Sequence, residues 1–240
     1  MAQRRFAIGD IHGAHKALLQ VLRKAKFNKK QDILICLGDV ADGWPEVPEC
    51  FETLLKIKNL IYITGNHDEW LRSWFKFGQT PYIWRSQGGQ ATIDAYHRIY
   101  AKKGTYITKR HQRILDSAVF YHITEDNKLF VHGGFDCTQP IENQSGYSLT
   151  WDRELFETAL YWRNLNKTED IAKDYDEVFI GHTSTSRADP TLDPVHVSNV
   201  WNLDQGAGWE GVLTLMCVDT KEFWQSDIVS TLYPDEKGRQ

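Results

Sequence analysis

The stretch FAIGDIHG, residues 6–13, joins a short apolar run to a glycine-flanked turn that carries Asp10 and His12. The apolar run is typical of a buried strand. The turn places two side chains of the metal-ligand type at the carboxyl end of that strand, where open α/β sheets build their sites. We therefore interpret the stretch as the first strand and the first site loop of an α/β fold.

Five further short boxes rich in Asp, Asn, His and Gly follow along the chain. In order, they are GDVAD at 38–42, GNHD at 65–68, HGG at 132–134, GHT at 181–183 and DQG at 204–206. Most of them directly follow a short apolar run, so we expect loops from distant parts of the chain to meet at one site. The order strand, helix, strand, helix, strand over the first three boxes favours a parallel layer with helices outside it.

The remaining segments complete the predicted architecture. Apolar residues from Glu69 to about Ser117 recur at helical spacing, which predicts a helical insertion at 69–117 that covers one side of the site. The closely spaced late strands, between 195 and 225, are expected to form a second sheet. Residues from Tyr233 onward are interpreted as a polar tail. We expect residues 1–240 to form a single domain.

Composition restricts the classes of protein to which the chain can belong. Its 240 residues are 41% hydrophobic, which predicts a folded globular protein. The formal net charge is −4, without an excess of Lys and Arg, which argues against nucleic acid or membrane as the main partner. The four cysteines show no disulfide-type or metal-type spacing, and no apolar run approaches the ~18 residues of a membrane span. We expect a monomer in the cytoplasm.

The side chains of the boxes predict a site for two divalent metal ions, because carboxylate and amide oxygens and neutral imidazoles are suitable ligands. The first ion is assigned to Asp10, His12 and Asp39. The second is assigned to Asp39, Asn66, His132 and His182. Asp39 is shared because a carboxylate can bridge two cations with its two oxygens. Two adjacent ions would lower the pKa of a bridging water and generate a hydroxide nucleophile.

His67 and Asp42 are predicted to be catalytic without binding metal. His67 follows the predicted ligand Asn66, so we expect it to face the same cavity, and Asp42 lies three residues after Asp39. The pair suggests an imidazolium, oriented by a carboxylate, that protonates the leaving oxygen. Such general acid catalysis is typically worth ~10²–10⁴-fold in rate.

The series GDIHG, GDxxD, GNHD, HGG and GHT resembles the phosphoprotein phosphatase family of metallophosphoesterases, in its short bacterial and phage branch that includes the lambda phage phosphatase. The resemblance extends from Gly9 through residues 151–154 to Gly206 and the strand beyond it. It implies a four-layer calcineurin-like sandwich of two mixed sheets flanked by helices. It also implies manganese, or iron or zinc, at the dinuclear centre and hydrolysis of phosphomonoesters. By the same matching, Arg153 is similar to an arginine that binds the substrate phosphate, a role also assigned to Asn66.

The chain departs from the family pattern at the second box. The family usually has GDxVDRG, whereas residues 38–44 are GDVADGW, so Gly43 stands where an arginine is expected. Thr64 stands where related phosphatases tend to carry another arginine. Candidates to replace the missing side chain are Arg72, Arg85 and Arg187. Trp44 is interpreted either as a stacking face for an aromatic substrate or as part of the pocket wall.

The leading hypothesis is a phosphomonoesterase that acts on phosphorylated protein, at serine, threonine or tyrosine, or on a small phosphorylated metabolite or nucleotide. A symmetrical dinucleoside tetraphosphate hydrolase, which uses a similar scaffold, is the alternative enzyme. A nuclease is disfavoured because Ser184 stands where the related nucleases usually have a second His. A non-catalytic, metal-dependent binding module is the hypothesis from outside the enzymes. Such a module should have lost a metal ligand or the general acid, whereas all expected ligands, His67 and Asp42 are present here.

Overall fold

The strands of this protein are short apolar runs of three or four residues, assembled into two sheets. The computed structural model describes residues 3–101, 108–186 and 191–239, and ten strands in these residues form two five-stranded sheets. The first sheet has the order β10-β9-β1-β2-β3. Its strands are β1 (Arg5–Ile8), β2 (Ile33–Cys36), β3 (Asn59–Tyr62), β9 (Thr214–Cys217) and β10 (Phe223–Gln225). The first three are parallel, and β9 runs antiparallel to both β1 and β10.

The second sheet has the order β4-β5-β6-β8-β7. Its strands are β4 (Tyr121–Ile123), β5 (Lys128–Val131), β6 (Glu177–Ile180), β7 (Val195–Val197) and β8 (Val200–Asn202). The central strands β5, β6 and β8 are parallel, and the two edge strands are antiparallel to their neighbours. Both sheets are therefore mixed, which confirms the predicted fold class.

The assignment of the late strands to the second sheet is wrong for β9 and β10. Both belong to the first sheet, where β9 pairs with β1, for example Phe6 opposite Cys217. The close spacing of β9 and β10 correctly indicates that they pair with each other. It carries no information about which sheet they join, because that choice depends on a contact with a strand some 200 residues earlier in the sequence.

Helices cover the outer faces of both sheets. They are α1 (His15–Lys24), α2 (Val47–Leu54), α3 (Asn66–Phe77), α4 (Tyr82–Trp84), α5 (Gln90–Tyr100), α6 (Lys109–Asp116), α7 (Gly146–Trp151), α8 (Glu154–Asn164) and α9 (Val229–Leu232). Helices α3 to α6, with a π-turn at Arg85–Gly89, fill the described part of the predicted insertion, whereas residues 102–107 of that prediction lie outside the described residues. Within the described chain, no helix has both the length and the apolar character needed to cross a bilayer. The assignment of the whole chain to one domain stays a prediction.

Three apolar clusters fill the spaces between these layers. One lies between the first sheet and its helices, and α1 contacts β9 and β10 there. Another lies between the second sheet and helices α7 and α8. The third lies between the two sheets, where Phe130 and Phe179 stack with ring centroids 4.7 Å apart. Because alternate residues of a strand face opposite sides, each central strand contributes to two of these clusters.

The tail segment, defined here as residues 233–239, packs against the protein at its two ends, whereas residues 234–237 are exposed. Tyr233 is only 3% exposed, and its ring stacks on Trp44 at a centroid distance of 5.1 Å. Trp44 is itself 1% exposed and donates from Nε1 to the carbonyl oxygen of Ala207, at 2.7 Å. Trp44 therefore packs against the tail segment, and its interpretation as a stacking face for substrate is wrong.

Candidate metal centre

The predicted metal ligands come together at the carboxyl ends of strands from both sheets. Loops after β1, β2 and β3 contribute from the first sheet, and loops after β5 and β6 contribute from the second. All six side chains are buried: Asp10, His12, Asp39, Asn66, His132 and His182. The site thus lies where the two sheets meet, and neither sheet alone supplies the full set.

The ligand atoms form two groups that share Asp39. One group contains Asp10, His12 and Asp39, the other contains Asp39, His132 and His182, and the ligand atoms within each group lie within 4.8 Å of one another. Asp39 Oδ2 is 3.7 Å from His12 Nε2 and 3.4 Å from His132 Nε2. One carboxylate between two groups is the arrangement that a bridging ligand requires.

Backbone carbonyls orient the imidazole rings of this centre. His12 Nδ1 lies 2.9 Å from the carbonyl oxygen of Ala41, and His132 Nδ1 lies 2.7 Å from that of Leu37. If each Nδ1–H donates to its carbonyl, each Nε2 presents a lone pair to the centre, as in many metal sites. Asn66 Oδ1 lies 3.2 Å from His132 Nε2, so its oxygen faces the second group.

The chemistry of the donor set fits divalent cations. His182 Nε2 is buried and has no hydrogen-bond partner among the described residues, which is costly unless something outside the chain binds it. Burial lowers the pKa of His182 to about 2, so its imidazole is neutral and can donate a lone pair. Burial opposes ionisation of Asp39, but the neighbouring His132 and His67 rings hold the pKa of its carboxyl well below the usual range. Burial lowers the pKa of His132, but the Asp39 and Asp10 carboxylates raise it to about 10, so a bound cation would replace the proton on Nε2. An anionic oxygen ligand between imidazole nitrogens suits manganese, iron or zinc.

Several site residues adopt a left-handed backbone conformation that is unusual for side chains with a β-carbon. The φ angles are 48° at His12, 46° at Asp39, 72° at Asp42 and 63° at His182. Such conformations cost on the order of 1–3 kcal/mol each and persist only where the surrounding structure enforces them. Here the carbonyl oxygen of Asp39 accepts from the N–H groups of Ile11 and His12, at 3.0 and 2.9 Å, which ties the first two loops together.

His67 and Asp42 form the contact that the sequence analysis predicted. His67 Nδ1 lies 2.6 Å from Asp42 Oδ2, and Trp84 Nε1 and Thr92 Oγ1 donate to the same carboxylate at 2.8 and 2.7 Å. Burial lowers the pKa of His67 to about 3 and raises the pKa of Asp42 to about 8. Both shifts disfavour net charge on the pair, so at neutral pH it keeps one shared proton. His67 Nε2 is then left to carry the proton that can be donated elsewhere.

Several further side chains, which the motifs did not single out, support this centre. Asp68, the last residue of the GNHD box, accepts from the backbone N–H groups of Val40 and Gly65 at 3.0 and 3.1 Å, which joins the second loop to the third. Its position inside a box was a usable signal. Trp84 and Thr92, which hold Asp42, lie in the helical insertion and belong to no motif.

Arg153 lies at the edge of the centre. Its Nη1 is 3.3 Å from both the carbonyl oxygen of His182 and Thr183 Oγ1. Arg153 and His182 line a cavity of about 680 Å³, and Lys237 and Arg239 of the tail segment line it too. The cavity is therefore rich in cationic side chains, as a site for a phosphorylated ligand should be.

The candidates for the missing arginine are placed differently. Arg72 pairs with Glu69 on the same helix, and Arg85 lines a separate cavity of about 450 Å³ beside Gly43. Arg187 lies outside the described residues. Arg239 belongs to no motif, yet its Nη1 is 3.2 Å from His12 Nε2.

An aromatic wall, defined here as Trp70, Tyr147 and Trp151, borders the centre on another side. The Trp70 ring centroid is 5.0 Å from that of His67, and the Trp151 centroid is 5.9 Å from that of His182. Together with Asn66, the wall lines a cavity of about 290 Å³. The side chain of Tyr147 is exposed and stacks on Trp151. The wall offers a surface for a flat apolar group next to the metal centre.

Comparison with known proteins points to one family. A family model for calcineurin-like phosphoesterases matches residues 4–208. The chain is 26% identical over 214 residues to serine/threonine-protein phosphatase 1 of Salmonella typhimurium, covering 88% of this chain and 89% of that protein. It is 24% identical over 232 residues to an asymmetrical bis(5'-nucleosyl)-tetraphosphatase of Anoxybacillus flavithermus, covering 87% and 88%. The crystal structure of a proposed diadenosine tetraphosphatase shares the fold, with a TM-score of 0.66, 17% identity and coverage of 93% and 92%.

Proposed function

Because the family match spans most of its length, the chain belongs to the calcineurin-like phosphoesterase family, and we propose that it is a phosphomonoesterase that acts on phosphorylated protein side chains. The observation that carries this proposal is the His67–Asp42 pair beside the buried ligand cluster. The membership confirms the family expected from the sequence motifs and makes the protein a metallophosphoesterase. The choice of ester and the preference for manganese are parts of the proposal.

The side chains divide the reaction between them. Asp10, His12, Asp39, Asn66, His132 and His182 would hold the two divalent cations. These cations would supply the Lewis acidity that activates an attacking water and withdraws charge from the phosphate. Arg153 binds phosphate oxygens through its planar guanidinium, and Asn66 is placed to donate from its amide. His67 donates a proton from Nε2 to the leaving oxygen, and Asp42 stabilises the ring in the orientation that this requires.

The aromatic wall supports a preference for phosphotyrosine among the phosphorylated side chains. A tyrosine ring has a flat face that can stack on Tyr147 or Trp151 while its phosphate approaches Asn66 and His182. Aromatic pairs contribute about 0.5–1.5 kcal/mol beyond the burial of their surface. Phosphoserine and phosphothreonine lack such a face.

A comparison of substrates tests this proposal. We expect manganese-loaded protein to hydrolyse a phosphotyrosine peptide faster than the matched phosphoserine peptide, and both faster than diadenosine tetraphosphate. The Asp39→Asn variant, which lacks the shared carboxylate, serves as the inactive control. Faster hydrolysis of the dinucleotide than of either peptide would overturn the proposal.

The Tyr147→Ala variant tests the contribution of the wall. Tyr147 is 74% exposed, so its removal should leave folding unchanged. We expect KM for the phosphotyrosine peptide to rise about 3- to 10-fold, the equivalent of one lost aromatic contact, with KM for the phosphoserine peptide unchanged. Tyr161→Ala is the matched control, because Tyr161 is also exposed but lies on α8, outside the aromatic wall. An equal rise in KM for both peptides would show that the aromatic wall does not select between the two substrates.

A dinucleoside tetraphosphate hydrolase is the second candidate, and one observation favours it. Arg153, Lys237 and Arg239 line the same cavity, which suits a ligand with several phosphate groups. A nucleobase could stack on the aromatic wall as a tyrosine ring would. If diadenosine tetraphosphate is the better substrate, the products separate the two types of cleavage: two ADP molecules indicate symmetrical hydrolysis, whereas ATP and AMP indicate asymmetrical hydrolysis.

A further inference from the structure

Gly43 leaves room for a side chain that comes from elsewhere in the protein. A β-carbon at Gly43 would lie 3.1 Å from Cγ of Arg239, and one at Gly88 would lie 3.3 Å from the same atom. The backbone of Gly43 also has a φ of 90°, which a residue with a β-carbon rarely adopts. The Arg239 side chain therefore lies against the position at which the family carries an arginine, between Gly43 and Gly88.

Trp44, the residue after Gly43, packs against the tail segment that carries Arg239. Trp44 stacks on Tyr233 at the beginning of the tail segment, and a β-carbon at Gly238 would lie 2.7 Å from a Trp44 ring atom. The backbone N–H of Arg239 donates to the carbonyl oxygen of Gly208 at 2.9 Å. The hydroxyl of Tyr233 accepts from the backbone N–H of Lys16 at 2.9 Å and bonds to Glu46. Gly43 and Trp44, which stand in place of Arg-Gly, thus have two effects. Gly43 leaves space for the Arg239 side chain, and Trp44 provides the surface against which the tail segment packs.

The guanidinium group of Arg239 ends at the metal centre. Its Nη1 lies 3.2 Å from His12 Nε2, its Nη2 lies 3.4 Å from Gln87 Oε1, and its Cζ lies 4.3 Å from the Trp209 ring centroid. Its Nε is buried and has no hydrogen-bond partner within the described residues. A buried charged donor without an acceptor is costly, so this group indicates a ligand that supplies one.

Arg239 and Arg153 approach the centre at different metal groups. Arg239 contacts His12 of the first group, whereas Arg153 contacts the backbone of His182 in the second. Both line the 680 Å³ cavity. When a cation occupies His12 Nε2, Arg239 loses that acceptor, and the oxygens of a bound phosphate are suitable replacements.

We propose that Arg239 is the second phosphate-binding arginine of this site and replaces the one that is absent at Gly43. The inference rests on the proposed phosphoesterase function, which it extends by one specificity-determining residue. It differs from the family pattern in origin, because the guanidinium comes from the tail segment and not from the loop after β2.

Phosphate binding tests the inference without relying on turnover. We would load the protein and its Arg239→Gln variant with manganese, measure the metal content, and titrate inorganic phosphate by calorimetry at fixed ionic strength. We expect the Kd for phosphate to rise about 10- to 100-fold in Arg239→Gln, as for a lost hydrogen bond to a charged group, with the metal content unchanged. Arg85→Gln removes one charge from the separate cavity beside Gly43 and should change Kd less than about 3-fold.

Three results would overturn the inference: an unchanged phosphate Kd in Arg239→Gln, an equal loss in Arg85→Gln, or a loss of bound manganese in Arg239→Gln. Arg239→Lys keeps the charge but not the planar guanidinium, and we expect an intermediate Kd; full retention of affinity would contradict a specific role for the guanidinium. If the parent protein binds phosphate through Arg239 but hydrolyses no phosphomonoester, the inference stands and the proposed function fails.

A double-mutant cycle tests the delivery by the tail segment. Tyr233→Ala removes the stacking partner of Trp44 without touching the cavity, so we expect it to weaken phosphate binding in the same direction as Arg239→Gln. The two losses should not add in the double variant, because both act through one guanidinium. Additive losses would show that Arg239 reaches the site independently of that packing.

Discussion

At the scale of the residue, the acidity of His67 depends on Asp42. The two side chains share a proton between His67 Nδ1 and Asp42 Oδ2, which lie 2.6 Å apart. Burial lowers the pKa of His67 to about 3, so an isolated imidazole at this position would not be in the protonated form that a general acid requires at neutral pH. The carboxyl of Asp42, with its pKa raised to about 8, keeps the proton in the pair at neutral pH. The two residues therefore act as one acid.

The His67→Asn variant should lose this acid and keep the metal ligands. We expect kcat for phenyl phosphate, which has a poor leaving group, to fall by ~10²–10⁴-fold. Hydrolysis of 2,4-dinitrophenyl phosphate should fall much less, because its leaving oxygen needs little protonation. Steady-state rates and manganese content, measured on the same preparations, check this expectation. An equal loss on both esters would argue against the acid role.

Asp39→Asn should disrupt both metal groups, because Asp39 Oδ2 lies near His12 and His132 alike. We expect the manganese content to fall from two ions per chain to fewer than one at micromolar metal, since the neutral amide replaces the shared anionic ligand. Metal analysis after gel filtration gives the stoichiometry. Asp219→Asn, which alters a surface pair with Arg5, is the control. Two tightly bound ions in Asp39→Asn would contradict the bridging role.

The residues of the site differ in how far the sequence could predict them. Asp10, Asp39 and His132 each follow a strand in a short polar box, so the local pattern places each of them at the carboxyl end of a strand. Arg239 has no such pattern, because its position depends on the absence of a side chain at Gly43 and on the packing of the tail segment against Trp44. Thr92 was missed for the same reason, since its hydrogen bond to Asp42 spans 50 positions.

At the scale of the element, α6 is held in place by a buried histidine away from the metal centre. His111 Nδ1 lies 2.8 Å from the Tyr96 hydroxyl on α5, and its Nε2 lies 3.1 Å from Glu52 on α2. Tyr100 and Arg110 also face this ring. Burial lowers the pKa of His111 below 6.5 even though Glu52 raises it, so the imidazole is neutral in the folded chain.

The free energy of unfolding should therefore contain a pH-dependent contribution from His111. The unfolded chain binds a proton at this residue near pH 6.5 and the folded chain only at lower pH, so stability falls as pH decreases below about 6.5. In His111→Gln we expect a shallower decline between pH 7 and pH 5 in urea unfolding. Thr108→Ala, which removes the N-cap of the same helix, should cost ~1 kcal/mol without changing the slope. A parent-like slope in His111→Gln would contradict the assignment.

Strand pairing shows which part of the fold the sequence could predict. The parallel order of β1, β2 and β3 follows from alternating strands and helices, because such crossovers have a strong preference in handedness. The placement of β9 beside β1 could not be predicted, since a hairpin pattern specifies the partner within the hairpin but not the sheet edge it joins. The contacts of Tyr233 and Arg239, at the two ends of the tail segment, could not be predicted either, because this polar segment has no pattern that indicates packing.

At the scale of the whole molecule, the layer between the sheets links stability to the site. Phe130 and Phe179 stack there, and the strands that carry them end at the loops of His132 and His182. The two sheets must keep their relative position for the metal ligands to remain close to one another. The metal centre therefore depends on core packing some distance from any ligand.

Phe179→Ala should destabilise the protein and weaken metal binding together. We expect the free energy of unfolding to fall by about 3–5 kcal/mol, since a large buried ring leaves a cavity between the sheets. Phe77→Ala makes the same chemical change at a position that is 71% exposed, and it should cost no more than about 0.5 kcal/mol. Urea unfolding and manganese titration of both variants provide the comparison. A stable Phe179→Ala variant with parent-like manganese affinity would contradict this dependence.

The left-handed backbone at His12, Asp39, Asp42 and His182 has a practical consequence for protein engineering. Glycine adopts that conformation without penalty, and asparagine does so more readily than most residues. A laboratory selection for heat resistance alone would thus reward replacements at the very positions that catalysis needs. Libraries designed to raise the thermal stability of this protein should therefore keep those four residues constant. Otherwise the selection would enrich variants that are more stable but inactive.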